Sequence, residues 1–237
     1  MDSLQQVPRD EALALIADSP STLEFRAVAL EPDATIVRSG SGLLLVDRRR
    51  TLAGAIGSVI SRDLDELCQT NGSPRELLAD PGAFEALKDR WFFTRAKIAQ
   101  LDRVWKGSDS KRIDLEIRPL RADDSLDHLS RDLLEELERE RADHVIFAAF
   151  DRGASVSFAY SASMTETLAD ISIETLEAYH RRGIGRAVVS RLIDEVIRLG
   201  KVPVWGATED NVASLALAAS LGFTRDAGEL FVCEVQR

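Results

Sequence analysis

Asp170-Ile171-Ser172-Ile173-Glu174-Thr175-Leu176-Glu177-Ala178-Tyr179-His180-Arg181-Arg182-Gly183-Ile184-Gly185-Arg186 reads as an apolar strand, a basic glycine-containing turn and the start of a helix. Between Arg186 and Leu199, the residues Val188, Val189, Leu192, Ile193, Val196 and Ile197 recur at helical spacing. Arg191, Asp194, Glu195 and Arg198 fill the other face, so the helix is amphipathic with one buried stripe. The first turn of such a helix has backbone N–H groups without intrahelical partners, at the positive end of the macrodipole. Gly183 and Gly185 have no Cβ, so a ligand can approach the backbone, and Arg181, Arg182 and Arg186 add formal charge. The combination predicts a turn that binds an anion, a phosphate group above all.

Spacing narrows the choice of phosphate ligand. The dinucleotide pattern G-x-G-x-x-G fails because Val188 stands at the third glycine position. A Walker-type loop fails because Gly185 is followed by Arg186-Ala187 where Lys-Ser/Thr is needed. His180-Arg181-Arg182-Gly183-Ile184-Gly185 instead resembles the acyl-CoA loop of the GNAT superfamily of N-acetyltransferases, Gln/Arg-x-x-Gly-x-Gly/Ala, with His180 in place of the usual Gln or Arg. Downstream, Gly200 stops the helix, and Val202-Pro203-Val204-Trp205-Gly206-Ala207 reads as a short buried strand. Asn211-Val212-Ala213-Ser214-Leu215-Ala216-Leu217-Ala218-Ala219-Ser220-Leu221-Gly222-Phe223 follows. It resembles the next GNAT helix, Asn-x-x-Ala/Ser, an aliphatic pair, then Leu-Gly-Phe. The two motifs stand at the family's distance from each other, and the resemblance spans roughly Arg112 to the end.

Composition sets the outer limits. The chain has 237 residues, 45% of them hydrophobic and 30% charged, as expected of a soluble globular protein with one large or two small domains. No apolar run reaches membrane-span length and no signal peptide is read, which predicts a cytoplasmic protein without a membrane partner. Cys68 and Cys233 read as reduced thiols, and His128, His144 and His180 are too scattered to suggest a metal site. A net charge of −10 argues against nucleic acid as a partner, so the basic loop is a local feature suited to a compact polyanion.

The first half is expected to form a smaller α/β domain, residues 1–110. A helix is read over Arg9–Ala17, then strands over Leu23–Leu30, Thr35–Val37, Leu43–Asp47 and Thr51–Gly57. Arg48-Arg49-Arg50 is either an anion site or a solvated hairpin tip. Helices are read around Leu64 and Leu67, from Pro74, and over Ala83–Val104. The layout suggests a degenerate copy of the GNAT core without its glycine loop, or a companion on the substrate side. Lys106-Gly107-Ser108-Asp109-Ser110 is the linker candidate. The second domain, 111–237, opens with a strand at Ile113–Leu120 and a helix at Ser125–Arg141. Strands follow at His144–Phe150, Ala154–Tyr160 and Leu168–Leu176. The expected fold class is α/β (α+β), a GNAT-type mixed and mainly antiparallel sheet flanked by helices.

The resemblance implies a set of roles. Acetyl-CoA would be the cofactor, its pantetheine pairing by β-augmentation with the edge formed by Ile173, Glu174, Thr175 and Leu176. A backbone N–H there would face the thioester oxygen. His180, Arg181, Arg182, Gly183, Ile184, Gly185 and Arg186 would cap the pyrophosphate. Asn211 and Ser214 would contact the pantetheine arm or the neighbouring strand, and Asn211 reads equally well as a helix N-cap. The acceptor would be a primary amine of a small molecule, and a homodimer is open. A general base is needed. Glu174, an acid on what reads as a central strand, is the first candidate, against the alternative of a structural salt bridge. Glu166, Asp170, Glu177 or water are the others, since the position many relatives use is Ala169. The tyrosine that commonly serves as general acid is replaced by Ala218, leaving Tyr160, Tyr179 or unassisted departure of the thiolate. A non-catalytic CoA-binding regulatory protein is the alternative reading.

Overall fold

The computed structural model describes residues 4–101, 105, 107 and 113–235, which fall into two compact units. The first takes residues up to Ala99 together with Gly206–Leu215 and the chain from Asp226 onward; the second takes Gln100–Trp205 and Ala216–Arg225. The expected division at a single cut near residue 110 is therefore corrected: two later segments return to the first unit. Apart from Gly107, the expected linker Lys106–Ser110 lies outside the described residues.

In the first unit the elements run α1 (Arg9–Leu15), α2 (Leu23–Leu30), β1 (Thr35–Ser39), β2 (Gly42–Val46), β3 (Leu52–Ile56), α3 (Ser61–Asn71), β4 (Glu76–Ala79), α4 (Pro81–Leu87) and β5 (Thr94–Leu101). Leu23–Leu30 is a helix, not the expected strand. Phe25, Val28 and Ala29 bury at i, i+3 and i+4, and the hydroxyls of Ser19 and Thr22 share a hydrogen bond of 2.7 Å in the turn that opens it. The helix expected from Pro74 is instead β4, a buried strand parallel to β3. The long helix expected over Ala83–Val104 is split. Asp80 caps α4 by accepting from the Ala83 N–H at 2.7 Å, α4 ends at Leu87, and Ala96 and Ile98 then alternate inward along β5. Leu44, Leu64, Leu77 and Leu87 centre this unit's core.

The second unit begins with β6 (Glu116–Pro119), α5 (Arg131–Glu140), β7 (Phe147–Asp151), β8 (Ala154–Tyr160), β9 (Leu168–Asp170), β10 (Ser172–Thr175) and α6 (Ile184–Arg198). The chain then runs through β11 (Val202–Thr208), α7 (Val212–Leu221) and β12 (Phe223–Glu234). Strands β6, β7, β8 and β10 form an antiparallel sheet ordered β10-β8-β7-β6. Its core is Leu137, Phe150, Phe158 and Tyr160, and α6 packs across β7, β8 and β10 with Val188, Val189, Leu192, Ile193 and Val196 buried. The C-terminal end of β12 closes the first unit's sheet: Phe231–Glu234 pair antiparallel with Glu76–Ala79 of β4.

The segment read as one strand, Leu168–Leu176, is two. Residues of β9 pair in parallel with β11, whereas β10 pairs with β8, so the chain changes sheets at Ile171. The Ile171 N–H donates to the Val204 carbonyl at 2.9 Å while Ser172 already faces Tyr160. An alternating sequence gives no signal of such a fork, because both halves keep period two.

Candidate active site

The basic turn connects the end of β10 to α6. Strand β10 terminates its sheet, so its outer backbone edge takes no part in that ladder. From Leu176 the chain makes a single 3-10 turn at Glu177–Tyr179 and reaches Gly183, whose φ of +78° caps α6. Among the described residues no side chain caps this 15-residue helix at Gly183, and Arg181 and Arg182 beside its first turn are both exposed. A Cβ at Gly183 would meet nothing within 4 Å, so the space above it is open and the positive φ alone demands glycine. At Gly185 a Cβ would sit 3.2 Å from Thr175 Oγ1, so here the demand is close packing of α6 on β10.

Side-chain bonds hold the turn. His180 Nε2 lies 2.7 Å from the Thr175 carbonyl and donates to it, although the residue remains exposed. Tyr179 Oη donates to Asp151 Oδ2 at 2.8 Å, and the Arg182 guanidinium stands 5.1 Å from the Tyr179 ring centre. Arg186 donates to the carbonyl (2.5 Å) and hydroxyl (2.8 Å) of Ser220 near the C-terminal end of α7, where a cation also meets the negative end of the dipole. Of the three arginines expected to face an anion, Arg186 is thus engaged within the protein.

The carboxylates differ sharply. Glu174 is exposed on an edge strand, which corrects the expectation of a central one; partial burial and then the charge of Glu136 raise its pKa, with His180 opposing. No ion pair involving Glu174 is seen among the described residues. Asp170 stands at the fork, where it accepts from Ser172 Oγ at 3.0 Å, and desolvation pushes its pKa up to about 6. Glu166 and Glu177 are exposed. Neither tyrosine is a free acid: Tyr160 donates to Glu136 and Tyr179 to Asp151, and the pKa of each is raised, Tyr160 by burial first and Tyr179 by its hydrogen bond. Ala218 is buried.

Asn211 lies in the first unit. Its Oδ1 accepts from the Ser214 N–H at 3.1 Å, which is the N-cap geometry of α7. The first unit's own strand-loop-helix crossover, β3 to α3, is shut by the chain. Ser41 and Gly42 N–H groups donate to the Ser58 carbonyl, and Asp63 on the first turn of α3 accepts from Ser39 Oγ at 2.8 Å. It offers an acid where the second unit offers arginines. Arg48–Arg50 form an exposed hairpin tip, braced by Asp47 accepting from Thr51 and Leu52. A cavity of about 420 Å³ beside Leu120, Arg121, Arg141 and His144 shares no residue with the predicted site.

Residues 135–228 match the family model described as GNAT acetyltransferase. A segment of 54 residues is 48% identical to the L-methionine sulfoximine/L-methionine sulfone acetyltransferase of Salmonella typhimurium, covering 22% of this chain. The match spans about a third (32%) of that relative's length. Among solved structures, a GCN5-related N-acetyltransferase from Kribbella flavida is similar over 95% of this chain and 96% of its own, at 10% identity and a TM-score of 0.63. A tandem GNAT protein from the clavulanic acid biosynthesis pathway is similar over 99% of this chain and 98% of its own, at 15% identity and a TM-score of 0.60. At such identities the likeness is one of fold, and it extends over both units.

Proposed function

We propose that the protein is an N-acetyltransferase that moves an acetyl group from acetyl-CoA to a primary amine of a small molecule. The observation that carries this reading is the turn itself. A left-handed glycine, uncapped helix N–H groups and two exposed arginines lie beside a free strand edge, within the segment that matches the GNAT family.

The residues fit the cofactor. The outer edge of β10 suits a pantetheine arm, and Arg181, Arg182, Gly183, Ile184 and Gly185 suit its pyrophosphate. Acetyl-CoA supplies an activated acetyl thioester when bound. Glu174, exposed and with a raised pKa, takes a proton from the acceptor's ammonium so that the free amine attacks the thioester, and Glu136 adds negative potential that favours a cationic acceptor. A small acceptor also agrees with the name of the Salmonella relative, which acts on two amino-acid analogues. A cytoplasmic location belongs to the same reading, and both cysteines are free.

A second reading, a CoA-binding regulatory protein, is favoured by one observation: Ala218 replaces the usual phenol and both tyrosine hydroxyls already donate to carboxylates. Steady-state acetyl transfer to a panel of small amines separates the two. Turnover supports the enzyme, and tight CoA binding without turnover of any amine supports the regulator.

A further inference from the structure

The basic turn is long and solvent-facing, and two of its residues, Arg181 (φ +57°) and Gly183 (φ +78°), sit in the left-handed region. Left to its backbone, such a segment would sample many conformations, and a ligand would have to supply the ordering free energy. Asp151, the last residue of β7, opposes Ala154 across a tight hairpin, so its carboxylate is anchored in the β7–β8 ladder. Tyr179 Oη donates to it at 2.8 Å, and the Arg182 guanidinium lies over the same ring at 5.1 Å. The backbone continues the chain of contacts: the Tyr179 N–H donates to the Leu176 carbonyl, and the Leu176 N–H to Val156 of β8.

We infer that Asp151, Tyr179 and Arg182 form a strut that holds the turn in its anion-binding shape before the ligand arrives. Tyr179 is then a positioning residue, with its proton directed at Asp151 and its ring directing Arg182. The proposal rests on the CoA reading given above for the identity of the anion. The charged groups around the ring are Asp151, Arg152 and Arg182, and the hydrogen bond to Asp151 raises the phenol's pKa, so the phenol stays protonated at neutral pH.

The full chain and its Tyr179→Phe, Tyr179→Ala and Asp151→Asn variants test this by calorimetric titration with CoA and by amide hydrogen exchange without ligand. Tyr179→Phe keeps the ring and loses the bond, and CoA should bind roughly three- to tenfold more weakly, the part of a charge-assisted hydrogen bond expressed as pre-ordering. Tyr179→Ala loses both contacts and should bind more weakly still. Amides 176–183 should exchange faster in both variants while those of buried α6 residues do not change. In turnover, KM for acetyl-CoA should rise with kcat held, whereas a general acid would lower kcat. Unchanged CoA affinity and unchanged exchange in Tyr179→Phe would overturn the strut, as would a fall in melting temperature alone. If the wild type binds no CoA, the cofactor reading fails by itself, and the exchange comparison still decides the strut.

Discussion

Asp170 is held at a cost that the structure makes calculable. Its carboxylate stands where β9 and β10 part, and desolvation moves its pKa from 3.8 to about 6 against the opposing bonds from Ser172 and Ile171. That rise is worth roughly 3 kcal/mol between the two protonation states. The sign follows from linkage: the folded pKa lies above the unfolded one, so the favourable contribution is complete below pH 3.8 and is lost as pH rises through about 6. Asp170→Asn keeps an oxygen for the Ser172 hydroxyl and removes the charge. The variant should therefore be more stable than wild type at pH 8, by at most about 3 kcal/mol, which for a chain of this length is roughly 6–12 °C in melting temperature. Below pH 3.8 the two should converge, because the carboxyl is then protonated in the folded and the unfolded chain alike. Urea unfolding at both pH values measures this. A variant that is less stable at pH 8, or equally shifted at both, would refute the claim that the ionised carboxylate is strained.

Other outcomes follow from single residues. Glu174→Gln should leave CoA affinity nearly unchanged while turnover falls roughly 10²–10⁴-fold, and activity of the wild type should rise with pH through the raised carboxylate pKa and level off; unchanged turnover would move the base to Asp170 or water. Gly183→Val forces a β-branched residue to a φ of +78° and should abolish the stabilisation that CoA gives in thermal melts, with Arg181→Ala reducing it. Glu76 and Glu234 stand directly opposite on β4 and β12, and burial followed by Glu234 raises the Glu76 pKa. Glu76→Gln should stabilise the protein at pH 8 by a few tenths to about 1 kcal/mol, with the gain fading near pH 4. Residues 1–110 expressed alone lack β12, so the edge of β4 is left unpaired and the fragment should aggregate, as size-exclusion chromatography would show.

The turn and its helix were legible because they depend on local rules: helical spacing from Val188 to Ile197, a glycine pair, and a run of arginines. The fork at Ile171 was not, since period two persists through Leu168–Thr175 and the change of sheet is decided by which partners lie alongside. Leu23–Leu30 carries apolar residues at spacings that serve both periods, and burial of Phe25, Val28 and Ala29 settles it as helix. The return of β12 to β4 is a contact between distant segments with no local signature. For the site, residue identity named the carboxylates but gave their surroundings wrongly. Glu174 proved exposed, Arg186 was engaged with Ser220, and His180 was bonded to the Thr175 carbonyl.

Calorimetric titration of the full chain with CoA, with NAD as comparison and Gly183→Val as control, tests the central claim most directly. The account predicts one CoA bound per chain, much weaker binding of NAD, and loss of CoA binding in Gly183→Val with the fold intact. Two CoA per chain, equal affinity for NAD, or undiminished binding by Gly183→Val would contradict it.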